Sequence, residues 1–111
     1  MRIIAKRTLR DFWTKHADAM EPLKAWYAIV SRGDWKGPAD VKATFRNASI
    51  LANNRVVFNI KGNDYRLVAS VDFEKGIVWI KWVGSHKEYD RINVQEVEHE
   101  KPKTNQNRRR L

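Results

Sequence analysis

The sequence contains no cysteine. That excludes a disulfide scaffold, any thiolate metal site and a cysteine nucleophile, and it fits a reducing, cytoplasmic setting. Histidine is scarce. His16, His86 and His99 are the three present, and they show neither the i, i+4 pairing nor the HExxH spacing of a zinc helix. No P-loop, GxGxxG or GxSxG occurs, so the simplest signatures of nucleotide-binding and hydrolase folds are missing. No metal or cofactor is expected. No apolar run approaches the roughly 18 residues that span a bilayer, and the basic first ten residues are not followed by the apolar stretch of a secretory signal. No membrane role is expected.

Acidic residues are also in deficit. Asp and Glu number 13 against 22 Lys and Arg, giving a formal charge of +9 on 111 residues. Such an excess favours an anionic partner, with nucleic acid first. The chain is 42% hydrophobic with five Trp, which argues for a folded core, and its length suits one domain.

Residues 2–5 read as an opening strand. Thr8 is a candidate N-cap for a helix reaching about His16, with Leu9, Phe12 and Trp13 on one face. Pro22 suits the first turn of a second helix, in which Leu23, Trp26, Tyr27 and Val30 share a face and which Gly33 can end. Residues 34–40 are a turn-rich connection, and one further helical turn is expected over residues 40–46.

The period then changes from helical to alternating. Val56, Phe58 and Ile60 lead into the turn signal Gly62-Asn63, and Tyr65, Leu67, Ala69 and Val71 follow it. A second turn at Lys75-Gly76 leads into a strand over residues 77–83, apolar at nearly every position. In the first hairpin Asn59 pairs with Arg66. In the second, Val78, Ile80 and Trp82 face the core, because a one-residue slip would bury Lys81. The predicted architecture is α+β: two N-terminal helices packed on one face of a twisted, mostly antiparallel sheet. Its other face carries Asn59, Lys61, Arg66, Ser70 and Lys81. Residues 1–97 form the single domain. Residues 98–111, which end in Arg108-Arg109-Arg110, read as a basic, flexible tail.

The constellation that can carry chemistry is this basic face beside the loop holding His86 and Tyr89. RNA can be cleaved without a metal when its 2′-hydroxyl attacks the adjacent phosphorus. The reaction needs a proton acceptor, cations for the charged phosphorane and an acid for the leaving oxygen. Arg66, Lys61 and Lys81 offer cations, His86 a titratable imidazole, and Tyr89 a hydroxyl and a stacking ring. Lys87 and Arg46 are further candidate phosphate contacts. Each has a plainer reading. A loop histidine is ordinarily solvated, an exposed lysine ordinarily aids solubility, and tryptophans ordinarily fill cores. Arg66, in mid-strand, is harder to dismiss, because its guanidinium needs water, a carboxylate or a phosphate. Trp79, on the face away from the core, stays open as a binding platform. A non-catalytic RNA- or ribosome-binding module explains the charge equally well, and so does a basic face made to receive an acidic protein.

Two stretches carry a resemblance. Arg55-Val-Val-Phe-Asn-Ile-Lys-Gly-Asn-Asp-Tyr-Arg66-Leu-Val, followed by Gly76-Ile-Val-Trp-Ile-Lys-Trp-Val-Gly84-Ser-His86-Lys-Glu-Tyr89-Asp90, resembles the HigB family of bacterial toxins. Leu9-Arg-Asp-Phe-Trp13, Leu23-Lys-Ala-Trp-Tyr27 and Asp34-Trp-Lys-Gly-Pro-Ala-Asp-Val-Lys42 are similar to the same family, so the likeness spans about residues 1–95. It implies a RelE-like fold and an mRNA interferase of a type II toxin–antitoxin system, acting on message at the ribosome. It also implies a HigA-type helix-turn-helix antitoxin, through which alone the toxin would reach operator DNA. By position, Arg66 corresponds to the family's phosphate-binding arginine, and His86 and Tyr89 to its loop residues. No catalytic glutamate is evident, so the general base is left unassigned.

Overall fold

A computed structural model describes residues 1–97. The expected basic tail, residues 98–111, lies outside the described residues.

Strand β1 (Arg2–Ile4) runs into helix α1 (Lys6–Lys15), and a single 3-10 turn (Ala17–Ala19) leads to α2 (Met20–Arg32). Helix α1 begins before the expected cap. Ala5 is its N-cap, and Thr8 lies inside the first turn, where its backbone N–H donates to Ala5 O at 3.1 Å. The strand feeds the helix directly, which leaves no residues for a capping loop. Leu9 and Phe12 are the buried positions of α1, and Leu23, Trp26 and Val30 those of α2, as the helical spacing required. Gly33 follows α2, in extended rather than left-handed backbone. Helix α3 (Pro38–Thr44) starts two residues before the expected turn, with proline at its first position, where the missing N–H costs nothing.

Strands β2 (Ser49–Ile50), β3 (Arg55–Ile60), β4 (Tyr65–Asp72) and β5 (Ile77–Ser85) complete a five-stranded sheet of order β1-β5-β4-β3-β2. Its pairs are antiparallel except β1 with β5. The α+β architecture is therefore the expected one. Helices α1, α2 and α3 contribute to a core that includes Val56, Phe58, Ile60, Leu67, Ala69, Val71, Val78 and Ile80.

The β3–β4 register is as read, with Asn59 opposite Arg66. The turn occupies residues 61–64. Lys61 and Gly62 take positive φ, and Asp64 N–H bonds Lys61 O at 3.1 Å. Strand β5 departs from the expected alternation. Val78 and Ile80 pair with Val71 and Ala69 as core neighbours, but a bulge shifts the register so that Val68 meets Trp82 and Leu67 meets Val83. Lys81 is the extra residue. The bulge places Val83 in the core and turns Trp82, expected there, to the other face.

That other face is less polar than expected. Val57 and Val68, directly opposite each other, are buried there, as is Arg55. The Arg55 guanidinium donates to Val94 O at 3.1 Å and Val97 O at 2.9 Å, which ties the chain after β5 to the sheet. Trp79 does stand exposed on this face, at 40%.

Candidate active site

The site forms where the β3–β4 turn meets the end of β5. Pairing of Tyr65 with Ser85 and Arg66 with Gly84 aligns the two segments. Ser85 then starts a one-turn helix, α4 (His86–Tyr89), through a reciprocal cap. Its hydroxyl accepts Glu88 N–H at 3.1 Å, and Glu88 Oε1 accepts Ser85 N–H at 2.9 Å. A further bond, His86 N–H to Asp64 O at 2.9 Å, fixes α4 against the turn. A short polar stretch thus becomes a rigid corner.

Arg66 projects from β4 on the face away from the core. Its guanidinium meets no carboxylate among the described contacts. Nη2 donates to Asn63 Oδ1 at 2.9 Å, and Nη1 donates to Asn63 O at 3.1 Å and Tyr65 O at 3.3 Å. All three acceptors are uncharged, so its positive charge is held in place without being neutralised. The guanidinium carbon lies 5.9 Å from the Tyr89 ring centroid, within cation–π range. His86 is half-exposed on the same turn as Tyr89, with Nδ1 3.7 Å from Asp90 Oδ2. The structure thus brings Arg66, His86 and Tyr89 to one corner.

The other predicted cations fare differently. Lys61 leaves the basic face, because its left-handed backbone breaks the alternation and turns the ammonium toward the helices. There it meets Asp64 Oδ2 at 2.9 Å and Asp18 Oδ2 at 3.5 Å. The hydrogen bond and charge of Asp64 raise the Lys61 pKa. Asp18 also accepts the Tyr65 hydroxyl, and that bond lowers the carboxyl and raises the phenol. Arg46 is exposed after α3, beside a depression that it lines together with Asn59 and Gly62. Lys81 is half-buried in the bulge, and Lys87 is exposed on α4.

The sequence assigned no functional role to Asn63, Trp82, Gly84 or Glu88. The Trp82 ring centroid lies 6.3 Å from that of Tyr89. A Cβ at Gly84 would come within 2.4 Å of two Trp82 ring carbons, so the indole lies against this glycine. A bulge was the missing signal for Trp82. The turn signal Gly62-Asn63 marked Asn63 as a loop residue and nothing more. Among the described residues no group of three or more His, Asp or Glu is placed to hold a metal ion, and no helix is long and apolar enough to cross a membrane.

Residues 19–92 match the family described as HigB toxin, RelE-like toxic component of a toxin-antitoxin system. The chain is 34% identical over 92 residues to the mRNA interferase toxin HigB of Escherichia coli K12, a match that covers 81% of this chain and 88% of that protein. The mRNA interferase HigB of Shigella flexneri is matched to the same extent. The mRNA interferase HigB of Escherichia coli O6:H1 is 24% identical over 94 residues, covering 83% of this chain and 91% of the relative.

Proposed function

This chain belongs to the HigB family of RelE-like toxins, and from that premise we propose that Arg66, His86 and Tyr89 cleave mRNA by internal transfer at a single phosphodiester. The protein is the toxin of a toxin–antitoxin pair and an endoribonuclease, an mRNA interferase. Its targets are messages and its cognate partner is an antitoxin.

In the proposed reaction the 2′-oxygen attacks the adjacent phosphorus as its proton is withdrawn. The new P–O2′ bond forms and the P–O5′ bond breaks. The products are a 2′,3′-cyclic phosphate and a 5′-hydroxyl, the latter taking a proton as it leaves. Arg66 offsets the charge that accumulates on the non-bridging oxygens. Its anchorage on Asn63 means that little reorganisation is needed when that charge develops. His86 and Tyr89 are the proton-carrying groups within the corner. Asp90 faces His86 Nδ1, an arrangement that presents Nε2 to the substrate. Lys87, Lys81 and Arg46 contribute long-range attraction for the RNA backbone. Lys61 contributes less, since two carboxylates already share its charge.

The observation that carries this reading is the Arg66 guanidinium. It is fixed by neutral acceptors, set over Tyr89 and placed beside the turn that bears His86. The reading extends to message held on the ribosome, to a HigA-type helix-turn-helix antitoxin that alone mediates contact with operator DNA, and to a cytoplasmic site of action. Product ends test the chemistry. A 2′,3′-cyclic phosphate or 3′-phosphate on one fragment, formed in EDTA with ribosome integrity controlled, is expected. RNA left whole would mark a binding module, and a strict divalent-ion requirement at the scissile phosphate would overturn the mechanism.

A further inference from the structure

A cavity of about 420 Å³ opens between α1 and the α4 corner. Its size falls in the roughly 300–1,000 Å³ range of small-ligand sites. Phe12, Trp82, Val83 and Ile92 give it apolar walls. Around it Asp11 and Glu88 supply two carboxylates, Lys15 and Arg91 two cations, and His16 an imidazole. A balanced lining does not select an anion, so the cavity is not a second phosphate site. It suits an uncharged planar group with polar edges.

Trp82 decides which group that is, because it belongs to both places. One neighbour of its ring is Tyr89, which lies under Arg66; the ring also forms a wall of the cavity. The cavity therefore lies next to the cleavage corner, with the rings of Tyr89 and Trp82 between it and the guanidinium. The bulge at Lys81 takes Trp82 out of the core, and the missing side chain at Gly84 leaves room for its ring. A residue with any side chain at position 84 would displace the indole.

We propose that this cavity receives the base of a nucleotide flanking the scissile phosphate, stacked on Trp82, and so contributes to the choice of cleavage position. The proposal rests on the nuclease reading of the Arg66 corner. A base in the cavity stacks on indole through its π-face and meets carboxylate, imidazole or guanidinium groups at its edge, the usual elements of single-strand recognition.

The test uses the full chain and an RNA that the wild type cleaves. The RNA is made also with an abasic ribose, 2′-hydroxyl retained, on either side of the cleavage point. At one of these positions, base removal should slow the wild type by about tenfold or more. Trp82→Ala and Gly84→Ala should be nearly indifferent to the same removal, and Trp82→Phe, which keeps a ring, should remain sensitive. Ile92→Trp, which fills the cavity from its far wall and leaves Trp82 in place, should also become indifferent. Circular dichroism establishes that each variant is folded. If Trp82→Ala and Ile92→Trp respond to base removal as the wild type does, or if the wild type ignores it at both positions, the base pocket is overturned while the nuclease reading stands. A wild type that cuts no RNA, free or on ribosomes, overturns the nuclease reading and the pocket with it.

Discussion

The Arg66 guanidinium carbon stands 5.9 Å above the Tyr89 ring, and the turn residue Asn63 holds two of its nitrogens from behind. The charge is thus aimed by groups that do not cancel it. Arg66→Ala should lower mRNA cleavage by about 10²–10³-fold, the usual cost of removing a donor to a charged transition state. Arg66→Lys should recover little, since an ammonium cannot bond Asn63 and a phosphate in the same fork. Cleavage rates and growth arrest at matched soluble level check both. Full activity in Arg66→Ala would remove this residue from the mechanism.

Tyr89 contributes a ring and a hydroxyl, and two substitutions separate them. Tyr89→Phe retains the surface under Arg66 and beside Trp82, whereas Tyr89→Ala loses both contacts. Single-turnover cleavage should fall in the order wild type, Tyr89→Phe, Tyr89→Ala. The first step reports proton transfer by the hydroxyl, and the second reports the ring. Equal rates for the two variants would mean that the ring does not position Arg66.

Much of this arrangement was legible in the chain. Helical spacing found the buried faces of α1 and α2, and alternation with Gly62-Asn63 found the β3–β4 register, which put Arg66 on the face away from the core. The failures share a cause. Alternation is a rule for regular strands, and the site is built where the strands are irregular. The bulge at Lys81 exchanges Trp82 for Val83 in the core, and because both are apolar the slip leaves no trace in the pattern. Positive φ at Lys61 carries its ammonium to the helix side. Thr8 has the chemistry of a cap, but β1 runs straight into α1 and leaves it inside the helix.

The carboxylates around Lys61 give the fold a pH dependence separate from catalysis. The Tyr65 hydroxyl holds Asp18 below the usual carboxylate range, with help from Lys61. A carboxyl lowered by folding stabilises above its unfolded pKa, and that contribution is lost as pH falls below about 4. Tyr65, raised by Asp18, and Lys61, raised by Asp64, contribute fully below about pH 10 and lose it above. Thermal melts should show wild type more stable than Asp18→Asn at neutral pH, with the gap closing in acid. A gap that persists undiminished at pH 2.5 would contradict the assignment. Lys61→Ala should keep cleavage within about threefold of wild type, the scale of an exposed ion pair.

Arg55 offers a control on how far the site depends on the rest of its face. Arg55 is 9% exposed, and its guanidinium bonds the carbonyls of Val94 and Val97, securing the chain after α4. Arg55→Ala leaves those partly buried carbonyls without that donor, at a cost of about 1.5–3 kcal/mol. The amides of Glu96 and Val97, now bonded to Asn93 O, should exchange faster with deuterium. The α4 corner is held independently, by the Ser85–Glu88 cap and by His86 N–H on Asp64 O. Cleavage per folded molecule should therefore survive, measured below the lowered melting point. Loss of cleavage as deep as that of Arg66→Ala would show instead that residues 91–97 brace the site, and that Arg55 positions Arg66 through the covered middle of the sheet.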